Sequence, residues 1–187
     1  GKFARGGSNQ PPLSLCYIAS YLLRDGKDVR ILDAAKFKLS AKDIMTEISK
    51  YAPDIVGFHT CTPYFNAVKS LASQIKLLWP NILVIAGGSH FFGNPTDDIE
   101  NSKLDIIVVG EGEQTCLEIV EGLEQYDSHD FLSNFVQSVK GLVYRTNGTG
   151  KNNPPRELIQ DIDTIPHPAR HLLPACRINN RLLCKIR

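Results

Sequence analysis

Two absences limit what this chain of 187 residues can be. It lacks an excess of charge of either sign, because 21 basic residues face 20 acidic ones and the formal net charge is +1. A global electrostatic attraction to nucleic acids or acidic membranes is thereby excluded. It also lacks any apolar run of the roughly 18 residues that a membrane span needs, and any segment with the pattern of a signal peptide. We therefore expect neither a nucleic-acid partner nor a membrane association.

Cysteine is scarce and scattered, which excludes several further classes. The five cysteines are odd in number and form no C-x-x-C pair, so a disulfide framework, a zinc ribbon and a thioredoxin motif are all disfavoured: Cys16, Cys61, Cys116, Cys176 and Cys184. A reducing, cytoplasmic environment is expected. The sequence contains no Ser–His–Asp set, no H-E-x-x-H, no P-loop and no cysteine triplet with iron–sulfur spacing. By itself, the chain is expected to contain neither a catalytic centre nor a metal-ligand set.

The dominant pattern is an alternation of short apolar runs with amphipathic segments. The runs predict strands at residues 29–33, 54–60, 82–86 and 105–109. The segments between them predict helices, with start signals at Pro11-Pro12, at a capping box formed by Ser40 and Asp43, and at Pro63. Continuously apolar strands that alternate with helices indicate a parallel sheet covered on both faces. We predict a doubly wound α/β fold of the Rossmann-like or flavodoxin-like kind.

The pattern changes after about residue 126. One more helix is predicted around residues 132–139, a hairpin turn at Asn147-Gly148, and a proline-rich linker or strap over residues 159–174. The predicted organisation is therefore a ligand-binding domain at 1–126, followed by a hairpin and linker at 127–187. A doubly wound domain normally begins with a strand, whereas this chain begins with a glycine-rich loop. We accordingly expect the first strand of the sheet to be absent from it.

Ligands of doubly wound folds bind outside the carboxyl ends of the strands. In this chain those ends are polar or glycine-rich, and they provide the candidate binding residues: His59, Thr60, Cys61, Thr62, Gly87, Gly88, Ser89, His90, Gly110, Glu111, Gly112 and Glu113. Structural roles compete with binding at several positions. Gly87-Gly88 also suits a tight turn, Thr62 also suits a helix cap, and Glu111 and Glu113 also suit the start of the next helix. The acidic side chains disfavour a pyrophosphate at the third strand end, so a dinucleotide is not indicated there.

Four segments in a fixed order carry a resemblance to a known family. They are residues 11–34, 53–65 (PDIVGFHTCTPYF), 84–90 (VIAGGSH) and 105–115 (DIIVVGEGEQT), followed by GLVYR, NPPR and a proline-rich stretch at 161–174. Together they resemble the N-terminal cobalamin-binding domain of B12-dependent radical SAM enzymes and the bridge that leads into the radical SAM barrel. The resemblance covers nearly the whole chain.

The resemblance implies a Rossmann-like domain that holds cobalamin with the nucleotide tail displaced from cobalt and buried in the sheet crevice. Matched by position, residues 59–62 would line the loop beneath the corrin, residues 87–90 would flank the tail, and residues 110–113 would contact its far side. The parent would be an enzyme of methyl transfer or radical rearrangement, for example of the anaerobic magnesium-protoporphyrin monomethyl ester cyclase type. Its barrel, beyond Arg187, would bind a 4Fe–4S cluster and S-adenosylmethionine.

His90 lies in an H-x-x-G sequence that is similar to the D-x-H-x-x-G motif of methionine-synthase-type cobalamin domains. Gly88 occupies the position of the motif's Asp, and the sequence is not in the first strand-to-helix loop. We therefore expect His90 not to bind cobalt. A non-catalytic flavodoxin-like binding or sensor module remains the alternative. We further expect Gly88→Val to weaken cobalamin binding more than it destabilises the fold, and the isolated chain to bind cobalamin weakly or not at all.

Overall fold

A five-stranded sheet forms the centre of the molecule. The computed structural model describes residues 11–126, 128–146 and 148–173. Its strands lie in the order in which they occur along the chain: β1 (Ile55–His59), β2 (Leu83–Gly87), β3 (Ile106–Val108), β4 (Leu142–Thr146) and β5 (Thr149–Asn152). The first three are parallel, while β4 pairs with β3 and β5 with β4 in antiparallel fashion. The parallel strands therefore end at one common edge.

Among the described residues, two helices precede β1, namely α1 (Leu13–Arg24) and α2 (Ala41–Tyr51). The helices between the strands are α3 (Phe65–Leu78), α4 (Pro95–Glu100), α5 (Glu113–Gln125) and α6 (Ser128–Ser133). The predicted start signals are confirmed. Pro12 directly precedes α1, and Ser40 and Asp43 exchange the two hydrogen bonds of a capping box at the start of α2. Pro63 lies in a short 3-10 turn, Thr62–Tyr64, that leads into α3.

The central strands β2 and β3 are buried on both faces, as their apolar sequences predict, whereas β1 is partly exposed and β5 mostly exposed. In β2, Val84 and Ala86 face a core formed with α2, α3 and α4, whereas Leu83 and Ile85 face a second core formed with α5 and α6. Because successive side chains of a strand point to opposite faces, a strand covered on both sides must be apolar throughout. The Rossmann-like α/β class is thus confirmed. None of the helices in the described ranges is long and apolar enough to cross a membrane.

Two predicted elements differ in the structure. Residues 29–33 form no strand, because no described segment pairs with their backbone, and Asp33 instead accepts the amide of Lys36 in a turn. The helix predicted around residues 132–139 is interrupted at Asn134, where the backbone leaves helical geometry at φ −121° and ψ −58°. A 3-10 turn, Phe135–Ser138, follows, and the ring of Phe135 stacks on the ring of Tyr126. Both segments are apolar as the sequence shows, but tertiary contacts determined their backbone conformation.

The hairpin predicted around Asn147 and Gly148 is present as β4 and β5, although Asn147 itself lies outside the described residues. It extends the main sheet through β3. Residues 157–173, which we call the strap, then run back across α1. Ala169 donates its amide to the Cys16 carbonyl at 2.9 Å, and Arg24 donates a guanidinium N–H to the Thr164 carbonyl at 3.3 Å. Pro174, Cys176 and Cys184 lie outside the described residues.

Candidate ligand-binding site

Three loops lie side by side where the parallel strands end. His59 pairs with Gly87 and Gly87 with Val108, so residues 59–62, 87–90 and 109–113 follow adjacent positions of the sheet. We call these loops the carboxyl-edge site. Thr60, Gly88 and Gly110, which follow the three predicted strand ends, therefore lie at the same edge of the sheet. Sequence alone supports this placement because parallel strands that are joined by crossover helices must end on the same side.

Thr60 is buried behind the carboxyl-edge site and stabilises two of its loops. Its side chain is only 1% exposed, and its hydroxyl donates to the Cys61 carbonyl at 3.1 Å. Its amide donates to the Gly87 carbonyl at 2.9 Å, which extends the pairing of β1 and β2 by one residue. Thr60 consequently holds two loops together, while the exposed Thr62 and Ser89 are the hydroxyls that face solvent.

Gly88 is required by its own backbone conformation and by the close approach of the Thr60 backbone. Its φ of +116° lies in a region that side chains rarely adopt, and a Cβ at this position would overlap the carbonyl oxygen of Thr60. The tight-turn role left open by the sequence is thus present. The expectation that Gly88→Val weakens cobalamin binding more than it destabilises the fold stays a prediction, but the clash with backbone atoms that cannot rotate away indicates a substantial loss of stability as well. Gly87 is a milder case, since a Cβ there would lie 3.3 Å from the carbonyl oxygen of Val108.

His90 is fixed from three sides. Its Nδ1 lies 3.1 Å from the hydroxyl of Thr62, and its ring centroid lies 4.0 Å from that of Phe65. Its Nε2 lies 3.4 Å from Oδ2 of Asp98, and both side chains are mostly buried. Thr62 is not the N-cap of either helical segment here, because Cys61 precedes the 3-10 turn and Tyr64 precedes α3, and its hydroxyl contacts His90 instead.

His59 is the second imidazole of the site. Its Nδ1 lies 3.2 Å from the hydroxyl of Ser14 on α1. Although the side chain is exposed at the surface, nearby protein atoms partly desolvate the ring and lower its pKa. The neutral form, which can accept a hydrogen bond, is thereby favoured.

The third loop is divided between the site and the strap. Gly110 is exposed with φ +87°, and a Cβ there would meet no atom within 4 Å. Glu111 accepts the backbone amide of Ile159 in the strap at 2.8 Å. Gly112 lets Ile18 of α1 pack closely, since a Cβ would lie 3.2 Å from its Cδ1. Glu113 opens α5 in its first turn, which suits the positive end of the helix dipole.

The thiols differ in their surroundings. Cys61 is half-buried at the site, whereas complete burial raises the pKa of the Cys116 thiol to about 12. Within the described residues, no group of three or more His, Cys, Asp or Glu side chains is arranged to hold a metal ion.

Ser14 and Asp98 were missed by the sequence reasoning. Ser14 belongs to α1 and Asp98 to α4, and each reaches an imidazole that belongs to a different element of the fold. Neither residue is part of a motif, and only the packing of helices against the sheet places them here. No pattern in the sequence identifies either contact.

A Rossmann-like fold whose strand ends carry exposed Thr62 and Ser89, two imidazoles and glycine turns defines an α/β domain of the kind that binds ligands at the carboxyl ends of its strands. The family is shown by sequence. The profile of the B12 binding domain family matches residues 3–120, and the chain belongs to that family. Cobalamin is the cofactor of this class of domain.

Relatives with curated names support the same family. The chain is 36% identical over 169 residues to an uncharacterized methyltransferase of Pyrococcus horikoshii, and the match covers 90% of this chain and 35% of the relative. It is 32% identical over 160 residues to the anaerobic magnesium-protoporphyrin IX monomethyl ester cyclase of Rubrivivax gelatinosus, covering 84% of this chain and 28% of the relative. The chain thus spans about a third of the length of these relatives.

The fold is also found in a solved enzyme. The radical S-adenosylmethionine methyltransferase TsrM from Kitasatospora setae, solved with cobalamin and a 4Fe–4S cluster, superimposes with a TM-score of 0.67. The match covers 87% of this chain and 30% of TsrM at 19% identity, so it shows a shared fold.

Proposed function

We propose that the carboxyl-edge site binds cobalamin and that this chain is the cofactor-binding part of a B12-dependent radical SAM enzyme. The observation that carries the proposal is the placement of exposed polar groups beside glycine turns at one sheet edge. His59, Thr62 and Ser89 are exposed there, and Gly110 leaves open space. A large planar ring with amide side arms needs such clearance together with scattered hydrogen-bonding groups.

The roles of the residues follow from their positions. Residues 59–62 would contact the corrin, and the hydroxyl of Thr62 and the neutral imidazole of His59 would hydrogen-bond its amides. Residues 87–90 would flank the nucleotide tail through Ser89 and exposed backbone, and residues 110–113 would border its far side. Thr60 and Gly88 support these loops from behind, because one is buried and the other contacts the Thr60 backbone closely.

His90 does not bind cobalt in this proposal. Its Nδ1 contacts Thr62, and its Nε2 is buried beside Asp98. Both ring nitrogens are therefore directed at protein groups, and the Phe65 ring packs against the imidazole at a tilt of 33°. When bound, cobalamin supplies a cobalt centre that can carry a methyl group or take part in radical chemistry. The chain's own residues contribute binding, orientation and shielding.

The complete protein is proposed to add a radical SAM barrel with its 4Fe–4S cluster and S-adenosylmethionine. The methyltransferase and cyclase names of the relatives support methyl transfer or radical cyclisation as the reaction class. The division at residue 126, the cytoplasmic location and the absence of nucleic-acid and membrane partners remain predictions. The match to the B12 binding domain family disfavours the alternative of a flavodoxin-like sensor.

Titration of the chain with hydroxocobalamin, followed by visible absorbance and equilibrium dialysis, tests the binding proposal. We expect saturable binding with a Kd of about 10 µM or weaker, because the carboxyl-edge site would contact only one face of the corrin. Thr62→Val should weaken binding about threefold to tenfold through loss of one hydrogen bond. Thr46→Val is the matched control, since the Thr46 hydroxyl donates only to the Lys42 carbonyl on α2.

Two results would contradict the proposal. One is the absence of saturable binding at cobalamin concentrations of about 1 mM. The other is stoichiometric binding of flavin mononucleotide at the same site, shown by a yellow complex that cobalamin does not displace.

A further inference from the structure

Asp98 faces His90 from a different element of the fold. Asp98 lies in α4 and His90 in the turn that follows β2, and the Asp98 Oδ2 is 3.4 Å from the His90 Nε2. That nitrogen is buried and has no hydrogen-bond partner among the described residues. A small closing movement would let it donate to the carboxylate. Removal of the carboxylate would leave a buried polar atom without an electrostatic partner.

The opposite nitrogen of the same ring contacts the binding site. His90 Nδ1 lies 3.1 Å from the hydroxyl oxygen of the exposed Thr62. A neutral imidazole carries its proton on one nitrogen and accepts a hydrogen bond at the other, so the group beside Nε2 decides what Nδ1 does. A carboxylate can only accept, which favours a proton on Nε2.

We infer that Asp98 fixes His90 in the tautomer protonated at Nε2 and thereby makes Thr62 a hydrogen-bond acceptor toward the ligand. With Nδ1 unprotonated, the single hydroxyl proton of Thr62 is donated to His90. The lone pairs of the Thr62 oxygen are then left for a donor in the site. Asp98 is a positioning residue, because it acts through His90 and does not itself touch the ligand.

This arrangement selects the chemistry of the bound group. An acceptor at Thr62 suits an N–H donor, such as the primary amide of a side arm, and disfavours a carboxylate or phosphate. The tilted packing of His90 against Phe65, with ring centroids 4.0 Å apart, and its edge contact with Phe91 hold the ring in place. The ligand part of this inference rests on the proposed function, since it assigns the amide-bearing ligand to the same site.

Nitrogen-15 NMR of the imidazoles measures the tautomer without any ligand. The chain is labelled at histidine and studied at a pH above which the ring resonances no longer change, and His90→Gln identifies the resonance. We expect a protonated Nε2 and an unprotonated Nδ1 in the wild-type chain. Asp98→Asn should shift the population toward a proton on Nδ1, because an amide can donate to Nε2.

Asp97→Asn is the matched control. It makes the same charge change in the same first turn of α4, but the Asp97 carboxylate contacts Asn94 rather than His90. It should leave the tautomer unchanged. In parallel, the affinity for hydroxocobalamin should fall about threefold to tenfold in Asp98→Asn and stay unchanged in Asp97→Asn.

The outcomes separate the two proposals. A proton on Nδ1 in the wild-type chain overturns the role of Asp98 whatever cobalamin does. If Asp98→Asn moves the imidazole proton to Nδ1 but cobalamin affinity stays unchanged, the claim that the Thr62 oxygen accepts a hydrogen bond from the ligand is overturned. A wild-type tautomer as expected, in a chain that binds no cobalamin, leaves the Asp98–His90–Thr62 relation standing and overturns the proposed function instead. If Asp98→Asn lowers the thermal midpoint of unfolding, its effects no longer report on the tautomer alone, and the tautomer of the wild-type chain then tests the role of Asp98.

Discussion

Gly88 and Thr60 face each other across the ends of two neighbouring strands, so closely that a Cβ on residue 88 would overlap the Thr60 carbonyl oxygen. The contact joins the loop after β1 to the loop after β2. Because the Thr60 amide also bonds to the Gly87 carbonyl, the two loops are fixed relative to each other before any ligand arrives. The shape of the carboxyl-edge site thus depends on Gly88, because the lack of a side chain there lets the two loops approach each other.

Three glycine-to-alanine variants separate the cost of a positive φ from the cost of steric overlap by the added Cβ. Gly88→Ala combines a positive φ with the overlap, Gly110→Ala has a positive φ in open space, and Gly93→Ala has neither. We expect destabilisation of about 2–5 kcal/mol, about 1 kcal/mol and about zero, respectively. Urea unfolding with a common slope measures the series. Equal stability of the Gly88 and Gly93 variants would contradict the overlap.

Thiol alkylation should follow burial, and cobalamin should protect one position. Among the three described cysteines, we expect Cys61 to react first, and Cys116 to react slowest because its raised pKa and burial suppress the thiolate. Desolvation also raises the pKa of Cys16. Peptide mass spectrometry after timed iodoacetamide exposure measures each rate. Bound cobalamin should slow Cys61 alone, and equal rates at Cys61 with and without cobalamin would argue against its place beside the corrin.

Removal of the Glu111 carboxylate should loosen the strap. Glu111→Ala leaves the Ile159 amide without its acceptor at 2.8 Å. Loss of a charge-assisted hydrogen bond that is partly exposed corresponds to roughly tenfold faster hydrogen exchange around residue 159. Exchange mass spectrometry measures this change. Glu113→Ala is the control, because its carboxylate makes no hydrogen bond to the strap in the described part of the chain, and identical exchange in both variants would refute the anchoring role.

The capping box of α2 should contribute to stability in a pH-dependent way. Hydrogen bonds from the Ser40 hydroxyl and amide lower the pKa of Asp43 below its ordinary value. Because the folded-state pKa is the lower one, the contribution is present above the ordinary carboxyl pKa and is lost as the pH falls through the folded value. The free energy of unfolding should therefore fall less toward acid in Ser40→Ala than in the wild type. Chemical denaturation across acidic pH measures this difference.

Ser73→Ala serves as the control for that experiment. The Ser73 hydroxyl donates to the Lys69 carbonyl and contacts no carboxylate, so its loss should shift stability equally at every pH. An acid dependence that is the same in all three proteins would show that Asp43 carries no pH-dependent stability.

The sequence by itself determined the secondary structure around the site and the family. Proline, capping residues and apolar periodicity are local signals, and they correctly predicted the starts of α1 and α2 and the three parallel strands. Because parallel strands joined by crossover helices must end at one edge, the same signals placed residues 59–62, 87–90 and 110–113 together. The resemblance to cobalamin-binding domains came from the order of these segments and was confirmed by the family match.

Only the tertiary structure decided what each of these residues touches. Residues 29–33 have the pattern of a strand, but a strand requires a neighbour for its backbone hydrogen bonds, and no described segment provides one. Thr60 is buried while Thr62 is exposed, and Glu111 binds the strap, because packing between distant segments assigns these partners. Ser14 and Asp98 reach the two imidazoles for the same reason. Local sequence encodes backbone preference, whereas side-chain partners arise from contacts that form only when the whole sheet is assembled.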